Sequence, residues 1–159
     1  MATYRLEEET LIDAPLDRVF DFFSRAENLE KLTPSSLQFK ILTKLPIEMK
    51  VGTLIDYRLK IRGVPVKWRT EITAWEPQSR FIDSQLKGPY KKWVHEHRFK
   101  AEGNKTRMWD TVEYALPFGP LGTIAHWLFV KKEVSQIFGF RADALRQVEQ
   151  DYRRDASQS

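Results

Sequence analysis

The feature that most restricts the fold of this chain is a change of period near residue 37. After it, apolar and polar residues alternate over six segments that are separated by short turns. Alternation with a period of two is the pattern of a strand with one buried face. Because short turns join antiparallel neighbours, the run predicts an antiparallel meander. The predicted strands are residues 37–45, 52–61, 66–75, 81–86, 91–101 and 106–116.

A further strand and two short helices precede this meander. Residues 3–12 alternate well enough to form the strand. In residues 13–23, Pro15 suits the first turn of a helix. A core-facing stripe at helical spacing follows it, formed by Leu16, Val19, Phe20 and Phe23. A second helix is predicted at Ala26–Leu32 and ends before Pro34, because the residue preceding a proline avoids helical angles.

One long helix is predicted after the last strand. It begins near Pro120 and runs to about Tyr152, with a bend near Gly139. The fold class is therefore α+β, with a seven-stranded curved antiparallel sheet wrapped around a long C-terminal helix. We expect residues 1–152 to form a single domain and residues 153–159 to be a disordered tail.

Composition excludes several classes of function. The chain has no cysteine, which rules out disulfides, thiolate metal sites and cysteine nucleophiles. Its net charge of +4 comes from interspersed charges, whereas nucleic-acid binders cluster their basic residues, so no nucleic-acid partner is expected. No phosphate-binding loop or nucleophile elbow is present, and we predict no cofactor. Without a signal core or a segment of membrane-spanning length, the chain is expected to be cytoplasmic and not to insert stably into membranes.

Two of the three histidines lie one residue apart in the segment KKWVHEHRF, residues 91–99. In an extended strand, alternate residues share a face. The side chains of Trp93, His95, His97 and Phe99 therefore point one way, and a mostly charged set points the other. The face that carries the histidines is predicted to point into the protein.

A carboxylate is predicted beside these histidines. If Gly103-Asn104 is a two-residue hairpin turn, His97 lies opposite Asp110, and His95 lies opposite Val112. This register places the apolar faces of both strands on the same side of the sheet. A buried carboxylate needs a partner, and a histidine supplies one.

The inward polar groups suggest a pocket wall, because a fully packed core rarely contains so many. The predicted apolar wall consists of Tyr57, Trp68, Trp93 and Tyr114. The polar groups that would orient a ligand are Gln85, His95, His97 and Asp110. Asp83 shares a face with Gln85 and Phe81, but the sequence does not show whether that face points inward.

Four interpretations of the histidines remain open at this point. They form a buried structural network, they orient a bound ligand, they do acid-base chemistry, or they bind a metal. In the acid-base case, His97 and Asp110 are the predicted catalytic pair, since a carboxylate orients and tunes an imidazole. A lone His-x-His is weak evidence for a metal, and no metal site is predicted.

The segment FGPLGTIAHWLFV, residues 118–130, is apolar on several sides. It either packs against the short helices or forms a pocket mouth, a dimer contact or a transient membrane contact. His126 lies in this segment and is expected at the surface or partly buried.

Four stretches resemble the START/SRPBCC superfamily, in particular its bacterial ligand-binding and polyketide cyclase/dehydrase-like branch. They are IDAPLDRVFDFFSRAENLEKLTP (12–34), WEPQSRF (75–81), GPYKKWVHEHRF (88–99) and DTVEYALPFGPLG (110–122). The resemblance covers about residues 3–150 and implies the helix-grip fold. It does not fix the function, since the superfamily includes carriers, cyclases, hydrolases and regulators.

Together, the residues and the resemblance predict a protein that binds a small, mostly apolar molecule, lipid-like or cyclic, between the sheet and the C-terminal helix. The alternatives are a cyclase- or dehydratase-type enzyme that uses His97 and Asp110, and a regulatory or partner-binding module. The expected assembly is a monomer or a weak homodimer.

Overall fold

A computed structural model describes residues 2–158 and, for Leu128, the backbone alone. Its strands form one antiparallel sheet in the order β1-β7-β6-β5-β4-β3-β2. The bounds are β1 Tyr4–Ile12, β2 Lys40–Ile41, β3 Leu54–Ile61, β4 Val64–Glu76, β5 Arg80–Lys87, β6 Lys92–Glu102 and β7 Lys105–Ala115. The meander from β2 to β7 is confirmed, and β1 pairs with β7 at one edge.

The two short helices follow β1 as predicted. Helix α1 spans Leu16–Phe23, a 3-10 turn covers Ala26–Asn28, and α2 spans Leu29–Leu32. Val19, Phe20 and Phe23 are buried, so α1 packs its apolar stripe on the core. This packing stabilises so short a helix, since propensity alone does not maintain a helix of two turns.

The prediction of a strand over residues 37–45 is wrong for most of its length. A second 3-10 turn occupies Ser35–Leu37, and Gln38 adopts a left-handed conformation with φ 47°. Only Lys40–Ile41 pairs with β3. Strand β2 is an edge strand with one neighbour, and Leu42 and Leu45 beyond it are exposed. The alternation of apolar and polar residues in 37–45 was therefore not enough to form a full strand, because this segment buries little apolar surface.

The C-terminal helix begins close to the predicted residue, ends about five residues later than predicted and contains one irregular turn. It consists of α3 (Gly119–Ala125), a π-helical turn at His126–Val130 and α4 (Lys131–Ser157). Helix α4 is continuous through Gly139. The irregularity is the wide turn, in which the Lys131 N–H donates to the His126 carbonyl.

The expectation of a disordered tail is wrong for residues 153–157, which continue α4. Arg153 lies 3.2 Å from Asp13, and Arg18 lies 2.5 Å from Asp155, so two ion pairs join this last stretch to the region around α1. Residue 159 lies outside the described residues. Within residues 2–158, none of the helices combines the length and apolarity needed to cross a bilayer.

Candidate functional site

A cavity of about 660 Å³ lies between helix α4 and the concave face of the sheet. Its lining comes from α1, α2, α4 and strands β3 to β6. The predicted site residues in the lining are Tyr57, Trp68, Trp93, His95 and His97. The ring centroids of Tyr57 and Trp68 are 5.8 Å apart, and those of Trp68 and Trp93 are 5.5 Å apart, so three strands contribute to one aromatic wall.

The other three predicted site residues lie outside the described lining of the cavity. Gln85 donates to the Tyr90 carbonyl at 2.6 Å and accepts from the Tyr90 N–H at 3.2 Å, which closes the turn between β5 and β6. Asp110 lies behind the two imidazoles, and Tyr114 packs in a neighbouring cluster with Val112 and Phe138. All three support lining residues from outside the cavity.

The predicted hairpin register is confirmed. His97 pairs with Asp110, and His95 pairs with Val112 across β6 and β7. Gly103 has φ 62°, the left-handed conformation that the tight turn requires. Strand β5 adds a third row, in which Asp83 lies opposite His95. His95, His97 and Asp110 are all buried, so the imidazoles point away from bulk water.

The shortest hydrogen bonds of the histidines run diagonally across the strands. His97 Nε2 is 2.7 Å from Asp83 Oδ2, and His95 Nε2 is 2.7 Å from Asp110 Oδ1. The pair predicted from the sequence, His97 and Asp110, is at 3.3 Å between Nδ1 and Oδ1. Each histidine therefore has one close carboxylate, and the carboxylate of the His97 bond belongs to Asp83.

Arg141 of helix α4 completes this group and was not predicted as a site residue. Its Nη2 is 3.3 Å from Asp110 Oδ1, and its side chain is buried. The guanidinium carbon lies over the rings of Phe23 and Phe138 at 5.3 and 5.4 Å. We call the five residues Asp83, His95, His97, Asp110 and Arg141 the polar cluster.

The two histidines of the polar cluster differ in charge. Burial, aided by the charge on His97, lowers the pKa of His95 to about 4 despite its bond to Asp110. Burial alone would lower the pKa of His97 as well, but its contacts with Asp110 and Asp83 outweigh burial and raise that pKa. At neutral pH His95 is therefore neutral, whereas His97 is the histidine whose surroundings favour the charged form.

Both carboxylates of the cluster are ionised. Burial opposes their ionisation, yet the charge of Arg141 and the bonds to the histidines hold the pKa of Asp110 well below its ordinary value. The bond to His97 and the nearby positive charges also lower the pKa of Asp83. Two negative charges are thus balanced by His97 and Arg141, which is what makes so many buried charges tolerable.

Asp83, His95 and His97 offer three metal-ligand atoms within 4.8 Å of one another. The two rings, however, are stacked with centroids 3.7 Å apart and planes inclined by 27°. Because an imidazole lone pair lies in the ring plane, stacked rings project their lone pairs side by side and not toward one ion. The geometry favours a hydrogen-bonded network, and we do not assign these residues as metal ligands.

The expectation that His126 lies at or near the surface is wrong. It is buried, its ring stacks on Tyr4 at 3.4 Å, and its Nε2 is 2.8 Å from the Tyr114 hydroxyl. Its neighbour Trp127 is 66% exposed. The large apolar side chains described at the surface of segment 118–130 are Phe118, Leu121, Ile124, Trp127 and Phe129.

Two charged residues that line the cavity form an ion pair. Arg62, in the turn between β3 and β4, donates from Nε to Glu133 Oε1 of α4 at 2.6 Å. Both residues line the cavity, and the Arg62 guanidinium lies 4.2 Å from the Phe129 ring centroid. The turn and the helix are thereby joined beside the cavity.

Two members of the polar cluster had signals in the sequence. Asp83 alternates with Phe81, whose apolar side chain is buried, so their shared face is the inner one. Arg141 recurs at helical spacing with Phe138, Leu145 and Val148, all of which are buried. A charged residue within such an apolar stripe indicates a buried partner of opposite charge.

The model of a family described as polyketide cyclase / dehydrase and lipid transport matches residues 12–139. No curated protein sequence matches the chain. The ZhuI aromatase/cyclase of Streptomyces sp. R1128 has a similar structure, with 15% identity over 93% of this chain and 94% of its own and a TM-score of 0.74.

Two further solved structures share the fold. Norcoclaurine synthase of Thalictrum flavum has 15% identity over 96% of this chain and 97% of its own, with a TM-score of 0.69. A START superfamily protein of Mycobacterium smegmatis has 13% identity over 94% and 97%, with a TM-score of 0.67. At such identities the likeness concerns the fold, which is the predicted helix grip. The chain belongs to the polyketide cyclase/dehydrase and lipid transport family.

Proposed function

We propose that this protein binds a small, mostly apolar molecule, lipid-like or cyclic, in the cavity between the sheet and α4. One observation carries the proposal: the cavity of about 660 Å³ has an aromatic wall and a charged cluster among its lining. Small-molecule sites commonly measure about 300–1,000 Å³ and combine apolar walls with a few placed polar groups. A closed core has no such space.

The lining residues divide into two roles. Tyr57, Trp68 and Trp93 supply flat apolar surface against which rings or chains pack. His95 and His97 present polar atoms that orient the ligand. Outside the cavity, Asp110 is bonded to His95, Gln85 is bonded to the backbone of Tyr90, and the Tyr114 ring packs beside Trp93.

A solved relative supports a ligand of this kind. Norcoclaurine synthase of Thalictrum flavum was solved in complex with dopamine and hydroxybenzaldehyde, two small aromatic molecules. Fold alone does not transfer a ligand. The complex of norcoclaurine synthase does show that a protein of this fold accommodates molecules of the size and character proposed for this cavity.

The test is the binding of N-phenyl-1-naphthylamine, a neutral apolar probe whose fluorescence rises in apolar surroundings. Ile137 is half-buried on α4 and lines the cavity, whereas Ser135 is exposed on the same helix. We expect Ile137→Trp to fill part of the cavity and weaken probe binding at least about tenfold. The matched control, Ser135→Trp, adds the same side chain outside the cavity and should bind like wild type.

Two results would overturn the proposal. The first is a wild-type protein that does not bind the probe. The second is equal binding by Ile137→Trp and wild type, which would place the probe elsewhere, for example on the exposed segment 118–130. Circular dichroism of each variant establishes that the fold is retained.

A second candidate is an acid-base enzyme of cyclase or dehydratase type. The observation in its favour is that His97 and Asp83 both line the cavity and share a 2.7 Å bond, with Asp110 behind them. The Asp83 carboxylate would accept a proton from the carbon beside a ketone, and the His97 imidazolium would donate a proton to the carbonyl oxygen.

Deuterium exchange at the α-carbon of phenylacetone in D₂O, followed by NMR, tests this candidate. His97→Gln should slow the exchange about 100-fold or more. Exchange at the uncatalysed rate with wild type would contradict it.

A third candidate is a partner-binding module. Phe118, Leu121 and Trp127 are 80, 70 and 66% exposed, which is unusual for large apolar side chains grouped on one segment. Gel filtration with light scattering tests whether this surface mediates self-association. A monomer at all concentrations would exclude the homodimer, and a weak dimer that Trp127→Ser abolishes would support it.

A further inference from the structure

We infer that the ligand carries a carboxylate and that one edge of the Arg141 guanidinium binds it. This inference rests on the proposed function, since it names the chemical class of the molecule in the cavity. Arg141 lines the cavity from α4 and is itself 8% exposed. Among the charged side chains of the polar cluster, it is the one whose hydrogen-bonding capacity is least used.

A guanidinium has five N–H donors in a fixed plane. Within residues 2–158, Arg141 Nε and Nη2 have no hydrogen-bond partner. Nη2 lies 3.3 Å from Asp110 Oδ1, close enough for an ion pair, but its N–H is not directed along a hydrogen bond. Arg141 therefore has a partner for its charge but hardly any for its donors.

The remaining contact does not use a donor either. Arg141 Nη1 is 3.4 Å from His95 Nε2. That nitrogen is 2.7 Å from the ionised Asp110 carboxylate, so it carries a proton that it donates to Asp110. A protonated nitrogen cannot also accept from Arg141. A buried charged donor without an acceptor is costly, and most native proteins avoid it.

The free donors identify the group that would satisfy them. Nη1 and Nη2 face His95 and Asp110, while Nε and Nη2 form the adjacent edge of the guanidinium. Two parallel N–H bonds from one edge of this kind match the two oxygens of a carboxylate, and such paired, charged bonds are among the strongest in proteins. The apolar rings of Phe23 and Phe138, which lie beside the guanidinium, have no charged acceptor to offer it. A ligand hydroxyl would supply a single uncharged acceptor.

The polar cluster is able to accept the additional negative charge. Without a ligand, Asp83 and Asp110 balance His97 and Arg141, and His95 is neutral. A carboxylate beside Arg141 would favour the protonated form of His95, and this would restore the balance. His95, which is neutral without a ligand, could therefore take up a proton when a carboxylate binds next to it.

The experiment compares decanoate with decan-1-ol as competitors for bound N-phenyl-1-naphthylamine. Both have the same chain, and the alcohol is the more apolar, so a preference for decanoate cannot come from apolar contact. With wild-type protein we expect decanoate to displace the probe at a concentration about tenfold or more below that of the alcohol. In Arg141→Lys the charge stays but the flat edge is lost, and the preference should disappear.

Arg146→Lys is the matched control, because Arg146 is exposed on the same helix and its substitution should leave the preference intact. Equal displacement by both competitors would overturn the inference and leave the proposed function standing. Preference that persists in Arg141→Lys but is lost in Arg62→Gln would also overturn it, by placing the carboxylate at Arg62. Failure of the probe to bind wild type would instead overturn the proposed function. Since the wild-type comparison needs no variant, the inference stays testable even if Arg141→Lys does not fold.

Discussion

The protein buries histidines in two regions, and the neighbours that stabilise the buried imidazole differ between them. In the polar cluster, His97 is 5% exposed and lies between two carboxylates. In what we call the tyrosine cluster, Tyr4, Tyr114 and His126, the imidazole is 3% exposed, stacked on one tyrosine and hydrogen-bonded to the other. Burial is nearly equal, but the neighbours differ in charge.

The pKa values of the two histidines move in opposite directions. Carboxylates raise the pKa of His97, although burial opposes them. Burial lowers the pKa of His126, with a smaller contribution from the charge of Lys131. Burial also raises the pKa of Tyr114, so its hydroxyl keeps its proton and shares a hydrogen bond with His126 Nε2. The partner, and not the depth of burial, decides whether a buried histidine is charged.

The largest effect is expected when the charge balance of the polar cluster is broken. Asp110→Asn keeps the shape of the side chain but leaves His97 and Arg141 with one carboxylate, that of Asp83. Removing one partner from a buried ion pair typically costs about 3–5 kcal/mol. We expect the free energy of unfolding, measured with urea at pH 7, to fall by about that amount.

The control for this variant is Asp143→Asn. Asp143 is exposed on α4 and lies 3.6 Å from Arg146 in a surface ion pair. Its substitution should change the free energy of unfolding by no more than about 0.5 kcal/mol. Equal losses in the two variants would mean that the polar cluster is not buried as a charged group.

A titration distinguishes the charge states of the two regions directly. The chain has three histidines, so each imidazole signal can be followed by NMR from pH 5 to 8 and assigned with single His→Gln variants. An unperturbed histidine titrates near pH 6.5. We expect His97 to titrate above that value and His126 below it, while His95 stays neutral throughout because its pKa is about 4.

The same pKa directions fix the sign of the effect on stability. His126 has a lowered folded-state pKa, so its contribution is present above about pH 6.5 and is lost as the pH falls toward that folded pKa. His97 has a raised pKa, so its contribution is present below about pH 6.5 and is lost as the pH rises through the folded pKa. His126→Gln should therefore lose less stability than wild type between pH 7.5 and 5.5 in urea unfolding. A larger loss in the variant would contradict the assignment.

The sequence predicted the hairpin of the polar cluster better than its contacts. A slip of one residue would have turned Trp93, His95, His97 and Phe99 to the outside, so the pattern of apolar residues determined the register. The same pattern did not determine which carboxylate forms the short hydrogen bond to each imidazole. Asp83 and Asp110 flank the same two rings on neighbouring strands, and the choice depends on side-chain torsions that no spacing encodes.

The tyrosine cluster was missed because the sequence predicts a regular helix at His126. The helix has a wider π-helical turn at His126–Val130. A prediction that assumes a uniform helical period does not include such a turn. Arg141 was not predicted as a site residue for another reason. Its place on the apolar stripe of α4 was visible, but the length of its side chain allows it either to reach the surface or to turn inward.

The smallest expected effect concerns one hydroxyl of the tyrosine cluster, and the chain supplies its own control. Tyr4 and Tyr114 lie opposite each other in β1 and β7 and both contact the His126 ring. The Tyr114 hydroxyl is bonded to His126, whereas within residues 2–158 the buried Tyr4 hydroxyl has no partner. Tyr114→Phe leaves His126 Nε2 buried without its hydrogen-bond partner, so the free energy of unfolding should fall by about 1–2 kcal/mol. Tyr4→Phe removes a group that is already unpaired and should leave stability unchanged or slightly higher. A larger loss in Tyr4→Phe than in Tyr114→Phe would show that the hydrogen bond is not what keeps the neutral His126 in place.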